Sequence, residues 1–143
     1  MHIDGLNDDA IRRVLAQTRR IAIVGASTNE TRPSYGVARF LVARGYTVIP
    51  VNPGLAGQTL HGQPVMADLA AAGALDMVDI FRNAADVPPV VDEAIRLQAR
   101  TIWMQLRVVA EEAARRARDA GLVVVMDRCP VLEWARLGVA GAG

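Results

Sequence analysis

The chain has 143 residues, a formal net charge of +1 and 52% hydrophobic residues, values typical of one globular domain rather than a disordered segment. The near-zero net charge offers no basic surface for nucleic acid or for an anionic membrane. No apolar stretch approaches the ~18 residues that a membrane span requires. We therefore expect one domain over residues 1–143 that binds neither nucleic acid nor membrane.

The residue types present exclude several kinds of catalytic site. All 16 basic residues are arginines, so the chain lacks the lysines of phosphate loops, Schiff-base enzymes and protein kinases. Two histidines (His2, His61) and two serines (Ser27, Ser34) leave little for a catalytic triad or a zinc centre. The single cysteine, Cys129, suits a reducing cytoplasm, and the acidic amino-terminal segment does not resemble a signal peptide. We expect a cytoplasmic protein that is not an enzyme and holds no metal.

Short hydrophobic runs alternate with helix-length segments along the chain. The spacing of apolar residues and the positions of Gly and Pro predict helices over Asp8–Gln17, Ser34–Arg44, Met66–Ala72 (a short one), Pro88–Ala99 and Ala110–Ala120. Runs rich in β-branched residues predict strands over Ile21–Val24, Thr47–Val51, Met77–Ile80, Thr101–Met104 and Leu122–Met126. Residues 53–65 are expected to form a loop, and Gly138–Gly143 a frayed end.

This alternation predicts the fold class. Several of the strands are apolar nearly throughout, as is typical of parallel strands covered on both faces. Right-handed crossovers then give a Rossmann-like, doubly wound α/β domain, with about five parallel strands and helices on both faces. Ligands of such sheets bind beyond the carboxyl ends of the strands, near the point where strand order reverses.

The segment after the first strand has the features of a phosphate-binding loop. Gly25 allows a tight turn and close backbone approach, and Ser27 and Thr28 offer hydroxyl groups. The helix that starts near Ser34 would direct its amino terminus at an anion, with Arg32 beside it. A purely structural interpretation, in which Gly25 only turns the chain and Ser34 only caps the helix, stays open.

The same segment disfavours NAD. The dinucleotide fingerprint has glycine where this chain has Ser27 and Glu30, and residues 45–53 contain no acid for a ribose hydroxyl. Asn52 could still contact a ribose. A ligand richer in phosphate is favoured by the arginines predicted at the same sheet edge, which are Arg32, Arg82, Arg107 and Arg128.

The chain resembles a known family in six motifs taken in order. These are Gly25–Ser27, Arg32–Val37, Ile49–Pro53, Asp79–Arg82, Trp103–Gln105 and Val125–Cys129. The combination is similar to the small stand-alone CoA-binding proteins of bacteria and archaea, which themselves resemble the CoA-binding domain of the succinyl-CoA synthetase α subunit. The resemblance implies a single CoA-binding domain, with coenzyme A as its nucleotide ligand along the carboxyl edge of the sheet.

The resemblance also implies which residues hold that ligand. Near the pyrophosphate it places Gly25, Ala26, Ser27 and Tyr35; beside the adenosine, Asn52, Pro53, Phe81 and Arg82; and along the pantetheine arm, Trp103 and Gln105. The complete candidate set adds Thr28, Arg32, Ser34, Gly36 and Arg107. Judged from the residues alone, however, Trp103 and Trp134 are expected to be core residues rather than surfaces for a ligand.

Three departures from the family pattern concern charge. Gly54 stands where many members carry a lysine, Arg107 where a glycine is usual, and the last motif continues from Pro130 to Trp134 without the usual lysine and Glu-His pair. We hypothesise that Arg107 partly replaces the lost positive charge. Nearby, Asp127 and Arg128 either pair with each other or contact the ligand.

The remaining reactive residues have simpler interpretations. We expect Cys129 to be a small core residue and Asp79 to be structural, at a strand end or partnered. The preferred function is a CoA-binding module without catalysis of its own. The alternatives are another nucleotide such as NAD, or the nucleotide-binding half of a CoA-ligase-type enzyme completed by a partner; a homodimer would be unsurprising.

Overall fold

The computed structural model describes residues 2–139 and contains one five-stranded parallel sheet. Its strands are β1 (Arg20–Val24), β2 (Thr47–Val51), β5 (Met77–Ile80), β6 (Thr101–Met104) and β7 (Val123–Val125), in the order β2-β1-β5-β6-β7. Two short antiparallel strands, β3 (Thr59–Leu60) and β4 (Gln63–Pro64), form a hairpin after β2. Among the main strands alone the order is 2-1-3-4-5, one of the two common doubly wound orders.

Helices cover both faces of the sheet. They are α1 (Asp8–Gln17), α2 (Pro33–Ala43), α3 (Val87–Arg96), α4 (Glu111–Asp119) and α5 (Pro130–Leu137). Buried residues of α3 and α4 share one apolar cluster with one face of the strands, and those of α1 and α2, with partly buried residues of α5, share the other. The predicted Rossmann-like α/β fold is therefore confirmed.

The alternation of side chains along each strand supplies both clusters. In β5, Val78 and Ile80 face α3 and α4, whereas Met77 faces the opposite cluster. All four residues of this strand are buried, as expected for a central parallel strand without a solvated face. None of the helices described over residues 2–139 is both long and apolar enough to cross a membrane.

Three local predictions are wrong. The segment Met66–Ala72 contains only a single 3₁₀ turn, Ala70–Ala72, and the predicted loop after β2 contains another 3₁₀ turn and the β3–β4 hairpin. Helix α5 was not predicted, although Pro130 lies at its start and Gly138 ends it in a left-handed conformation.

Val139 is buried and its N–H donates to the Trp134 carbonyl, so the chain is ordered at least to that point. The rest of the predicted frayed end, residues 140–143, lies outside the described residues.

The reversal of strand order lies between β1 and β5. From β1 the chain crosses to β2 on one side, and the following main strand, β5, returns to the other side of β1. Crossovers that diverge in this way leave a crevice above the carboxyl ends of the two strands. Gly25 directly follows β1 there, and Phe81 directly follows β5.

Candidate functional site

A cleft of about 750 Å³ opens at this crevice, within the range usual for small-molecule sites. Its walls come from the segments that follow β1, β2, β5 and β6, together with the start of α2. The lining residues are Gly25, Ala26, Ser27, Arg32, Pro33, Ser34, Asn52, Phe81, Arg82, Asn83, Asp86, Gln105, Leu106, Arg107 and Val108.

Most of the candidate residues from the sequence lie in this cleft, but five do not. Thr28 and Pro53 are exposed outside it, and Gly36 lies on the outer surface of α2. Tyr35 turns toward the β3–β4 hairpin, where its ring packs edge-on against His61 at 4.6 Å between centroids. Trp103 is fully buried; its carry-over as a ligand contact is wrong, because its ring is in the core and its indole N–H donates to the Arg128 carbonyl at 2.8 Å.

Gly25 lets the loop after β1 touch the backbone at the end of β5. Its φ of +89° lies in the region that favours glycine. A Cβ at this position would overlap the Phe81 carbonyl oxygen. The Gly25 and Ala26 N–H groups both donate to the Val51 carbonyl, so this glycine brings the ends of three strands together at the base of the cleft.

The rest of this loop is held by its own side chains. Ser27 Oγ accepts the Asn29 N–H at 3.0 Å, and Asn29 Oδ1 accepts both the N–H and the hydroxyl of Thr31. The hydroxyl proton of Ser27 is still available for an anion in the cleft. Helix α2 then begins at Pro33 without a side-chain cap, so Ser34 does not cap the helix and instead lies in its first turn, lining the cleft.

Asn52 joins two loops rather than offering an unoccupied amide. Its Nδ2 donates to the Ala26 carbonyl at 2.8 Å, and its Oδ1 accepts the Gly54 N–H at 2.9 Å. These bonds fix the segment after β2 against the loop after β1. The ribose contact expected from the sequence would have to use the second N–H of the amide nitrogen or the second lone pair of the amide oxygen.

Three of the four arginines predicted at the sheet edge line the cleft. Arg32, Arg82 and Arg107 all do so, and none of them pairs with a carboxylate among residues 2–139. The only carboxylate in the lining is that of Asp86. Because similar charges concentrate in a recessed space, the cleft attracts anions.

Arg128, the fourth predicted edge cation, is not in the cleft. Its guanidinium is fully buried and pairs with Asp4 at 2.8 Å and with Glu133 at 3.4 Å. The expectation that it pairs with Asp127 is also wrong, since Asp127 Oδ1 instead accepts the Arg107 N–H at 2.7 Å. The amino-terminal segment reaches this arginine across the end of β7, as shown by the hydrogen bond from the Met126 N–H to Asp4.

Two features mark the end of the cleft beside β6. Gln105 is 6% exposed, and its buried side-chain oxygen has no hydrogen-bond partner within the described structure. Arg107 has a φ of +68° and Asp127, which holds its N–H, a φ of +56°. Left-handed backbone is costly for residues other than glycine, and such strain concentrates at ligand-binding sites.

The sequence reasoning missed five lining residues. Asn83 and Asp86 follow β5 in a 3₁₀ turn, and Leu106 and Val108 alternate with the polar residues that were found. Pro33 was quoted in a motif but not assigned to the site. Their positions just after strand ends would have been a usable signal, because the residues that follow parallel strands face the same crevice.

Asp79 and Cys129 lie within the core. Asp79 is fully buried and neither carboxyl oxygen has a hydrogen-bond partner within the described structure, so the expectation of a partner is wrong. Burial raises the pKa of Asp79 well above its usual value. Cys129 is buried in the apolar cluster of α1 and α2, as predicted. Over residues 2–139 no group of three His, Cys, Asp or Glu residues converges as a metal site would.

Comparison with known proteins finds relatives that are similar to this chain in sequence and, where their structures are solved, in fold. A Pyrococcus horikoshii OT3 hypothetical protein shares 33% identity over 96% of both chains, with a TM-score of 0.91. A Thermus thermophilus protein shares 34% identity over 92% of this chain and 99% of its own, with a TM-score of 0.88. The uncharacterized protein YneT of Bacillus subtilis is 34% identical over 83% of this chain and 87% of its own length.

More distant similarity extends to a part of a larger enzyme. The dinucleotide-forming acetyl-coenzyme A synthetase 1 of Ca. Korarchaeum cryptofilum matches 80% of this chain with 27% of its own, at 22% identity and a TM-score of 0.65, and so shares the fold. The sequence profile described as "CoA binding domain" matches residues 19–135, from just before β1 into α5. The chain belongs to the CoA binding domain family.

Proposed function

We propose that this chain binds coenzyme A in the cleft at the carboxyl edge of its sheet and acts as a binding module without catalysis of its own. The observation that carries the proposal is the charge of that cleft. Arg32, Arg82 and Arg107 line it against the single carboxylate of Asp86. Coenzyme A carries a pyrophosphate and a 3′-phosphate, and a family member with such a cleft is well matched to it.

The lining also suits the shape of an extended nucleotide. Gly25 holds the loop after β1 against Phe81, and this loop brings the hydroxyl of Ser27 next to the unpaired Arg32 in the lining of the cleft, a combination that suits a pyrophosphate. Phe81, Leu106 and Val108 give apolar contacts further along. The buried oxygen of Gln105 needs a hydrogen-bond donor, and the amide N–H groups of the pantetheine arm are donors of that kind.

The chemistry of the lining favours binding over catalysis. Within the described part of the chain the lining holds no His, Cys or Tyr, and Asp86, its one carboxylate, is exposed. General acid–base catalysis uses positioned groups whose pKa lies near the working pH. Arginine does not exchange protons at ordinary pH. These residues can therefore bind and orient an anionic ligand, which is the role proposed here.

Calorimetric titration of the ligand-stripped protein with CoA, dephospho-CoA and NAD tests the binding. We expect CoA to bind best, and Arg82→Gln to weaken it about 10-fold, because a charge-assisted hydrogen bond to phosphate is lost. Arg118→Gln is the matched control, since Arg118 is exposed on α4 outside the cleft. Absence of CoA binding, or tighter binding of NAD, would overturn the proposal.

A separate assay tests the absence of catalysis. The protein is incubated with acetyl-CoA, phosphate and a nucleoside diphosphate, and CoA release is followed by thiol titration. We expect release to match the rate without protein. Release that exceeds this background and is lost in Arg82→Gln would show that the cleft is an active site.

A further inference from the structure

The end of the cleft beside β6 is built from consecutive residues, Gln105 to Val108. Gln105 is 94% buried, since only 6% of it is exposed, yet its side-chain oxygen has no hydrogen-bond partner within the described structure. A buried acceptor without a partner is unfavourable unless a ligand supplies a donor. This oxygen could therefore accept a hydrogen bond from a ligand group at the β6 end.

Arg107 occupies this end at a conformational cost. Its φ is +68°, where an arginine is less stable than a glycine. A second left-handed residue, Asp127, accepts its N–H at 2.7 Å and so fixes the turn. The side chain gains no carboxylate partner among the described residues and is exposed in the cleft. The structure thus retains an arginine in left-handed backbone whose guanidinium has no acidic partner among the described residues and is open to an anion in the cleft.

Arg107 lies at a different place in the cleft from position 54, where many family members carry a lysine. Gly54 follows β2 and Arg107 follows β6, which lies three strands away in the sheet order. At about 4.8 Å per strand the two positions are separated by about 14 Å. The charge of Arg107 therefore enters the cleft beside β6, whereas a lysine at position 54 would enter it beside β2.

We propose that Arg107 forms a second anion-recognition subsite at the β6 end of the cleft, which binds a charged group of the ligand other than its pyrophosphate, while the Gln105 oxygen beside it accepts a hydrogen bond from the same ligand. This inference rests on the proposed CoA binding. Two parts of a CoA compound supply such an anion: the 3′-phosphate of the nucleotide, or a carboxylate on an acyl group attached to the thiol. Either can lie beside an N–H or O–H that donates to Gln105.

Two variants of Arg107 separate its charge from its strain. Arg107→Gln removes the charge and keeps the strained backbone, whereas Arg107→Gly removes both. Gln98→Gly is the matched control, because Gln98 has a φ of +61° but lies at the opposite edge of the sheet. We expect both glycine variants to raise the melting temperature by about 2–4 °C. Only the Arg107 variants should alter ligand preference.

Ligand preference is measured with two matched pairs of probes: CoA against dephospho-CoA, and malonyl-CoA against acetyl-CoA. We expect the wild type to favour the more charged member of at least one pair by about 5- to 20-fold, and both Arg107 variants to abolish that preference. Loss in the first pair identifies the 3′-phosphate, and loss in the second identifies an acidic acyl group.

The inference is overturned if both preferences survive in Arg107→Gly or if the wild type has neither. Gln105→Leu provides a second measurement, because it removes the unpartnered oxygen without adding charge. It should weaken CoA binding while leaving the melting temperature unchanged or higher. If the wild type binds no CoA compound, the proposed function fails and this inference fails with it, a result distinct from binding without preference.

Discussion

Substitutions at the buried ion pair between Asp4 and Arg128 should destabilise the protein unequally. Both side chains are fully buried, and Asp4 accepts two hydrogen bonds from the guanidinium and others from the N–H groups of Leu6 and Met126. Arg128 keeps only Glu133, at 3.4 Å, and the Leu6 carbonyl when Asp4 is removed. Asp4 and Arg128 therefore differ in the hydrogen-bond partners that each keeps when the other is removed.

The expected magnitudes follow from that difference. Asp4→Ala leaves an arginine that cannot lose its proton in an apolar site, and should cost about 3–5 kcal/mol. Arg128→Met preserves the aliphatic packing and leaves a carboxyl that keeps its backbone donors and can take up a proton, so we expect about 1–3 kcal/mol. A chain of this length has roughly 7–20 kcal/mol of stability, so both variants should fold.

The acidity of Asp4 adds a pH test. Burial alone would raise the pKa of Asp4, but the hydrogen bonds from Arg128, Leu6 and Met126 outweigh it and hold the pKa below the usual 3.8. A depressed pKa contributes stability above about pH 4 that is lost as the pH falls through the folded-state value. The stability difference between wild type and Arg128→Met should therefore narrow on acidification.

Urea denaturation followed by circular dichroism measures these differences, with the double variant completing a thermodynamic cycle. The double variant should lose less than the sum of the single losses, because its second substitution removes a charge already left unpaired. A loss below about 1 kcal/mol for Asp4→Ala, or additive losses in the cycle, would contradict a stabilising buried pair.

Three further predictions concern the cleft and the strand beneath it. Gly25→Ala should cost about 2–4 kcal/mol and abolish CoA binding, because a Cβ overlaps the Phe81 carbonyl at a φ of +89°; unchanged thermal unfolding would refute this. Asn52→Ala should cost about 1–3 kcal/mol and weaken CoA binding through loss of its hydrogen bonds at 2.8 and 2.9 Å, with Asn52→Asp as the isosteric comparison. Asp79 holds a proton in the folded state that the unfolded chain releases above about pH 4, so wild-type stability should fall as the pH rises toward its raised pKa. The Asp79→Asn variant should lack this fall. If the urea midpoints of wild type and variant change by the same amount between pH 4, 6 and 8, this prediction is refuted.

The fold was predictable because its signals are local. Apolar runs of four or five residues mark the parallel strands, and glycines such as Gly45 and Gly121 follow the helices between them. Helix α5 also has a local signal, with Pro130 at its start and Gly138 after its end, but it was missed because the helix has only eight residues and follows directly on a strand-end motif. The hairpin after β2 was not predicted because its strands have only two residues each, too few for an alternating pattern of apolar and polar residues to be visible.

The candidate site was predictable where a residue's role follows from its place after a strand. This reasoning placed Gly25, Arg82 and Gln105 in the cleft, where the structure has them. The ligand contact that the resemblance implied for Trp103 is wrong and its interpretation as a core residue is confirmed, because both faces of the sheet are covered and Trp103 still lies within β6. Trp103 pairs in register with Asp79 inside the sheet, while Gln105, two residues on, lies beyond it.

Arg128 shows why charge at a sheet edge cannot be read from one segment alone. It follows β7 as Arg82 follows β5, and because both arginines have acidic residues within five positions, the local sequence does not distinguish them. The difference is made by Asp4, which is 124 residues away in sequence and reaches Arg128 because the amino-terminal segment crosses the end of β7. A buried arginine so neutralised attracts no ligand anion, whereas one without a nearby acid retains its full charge. The cationic part of the edge is thus limited to the segments after β1, β5 and β6, with Asp4 keeping the fourth arginine out of it.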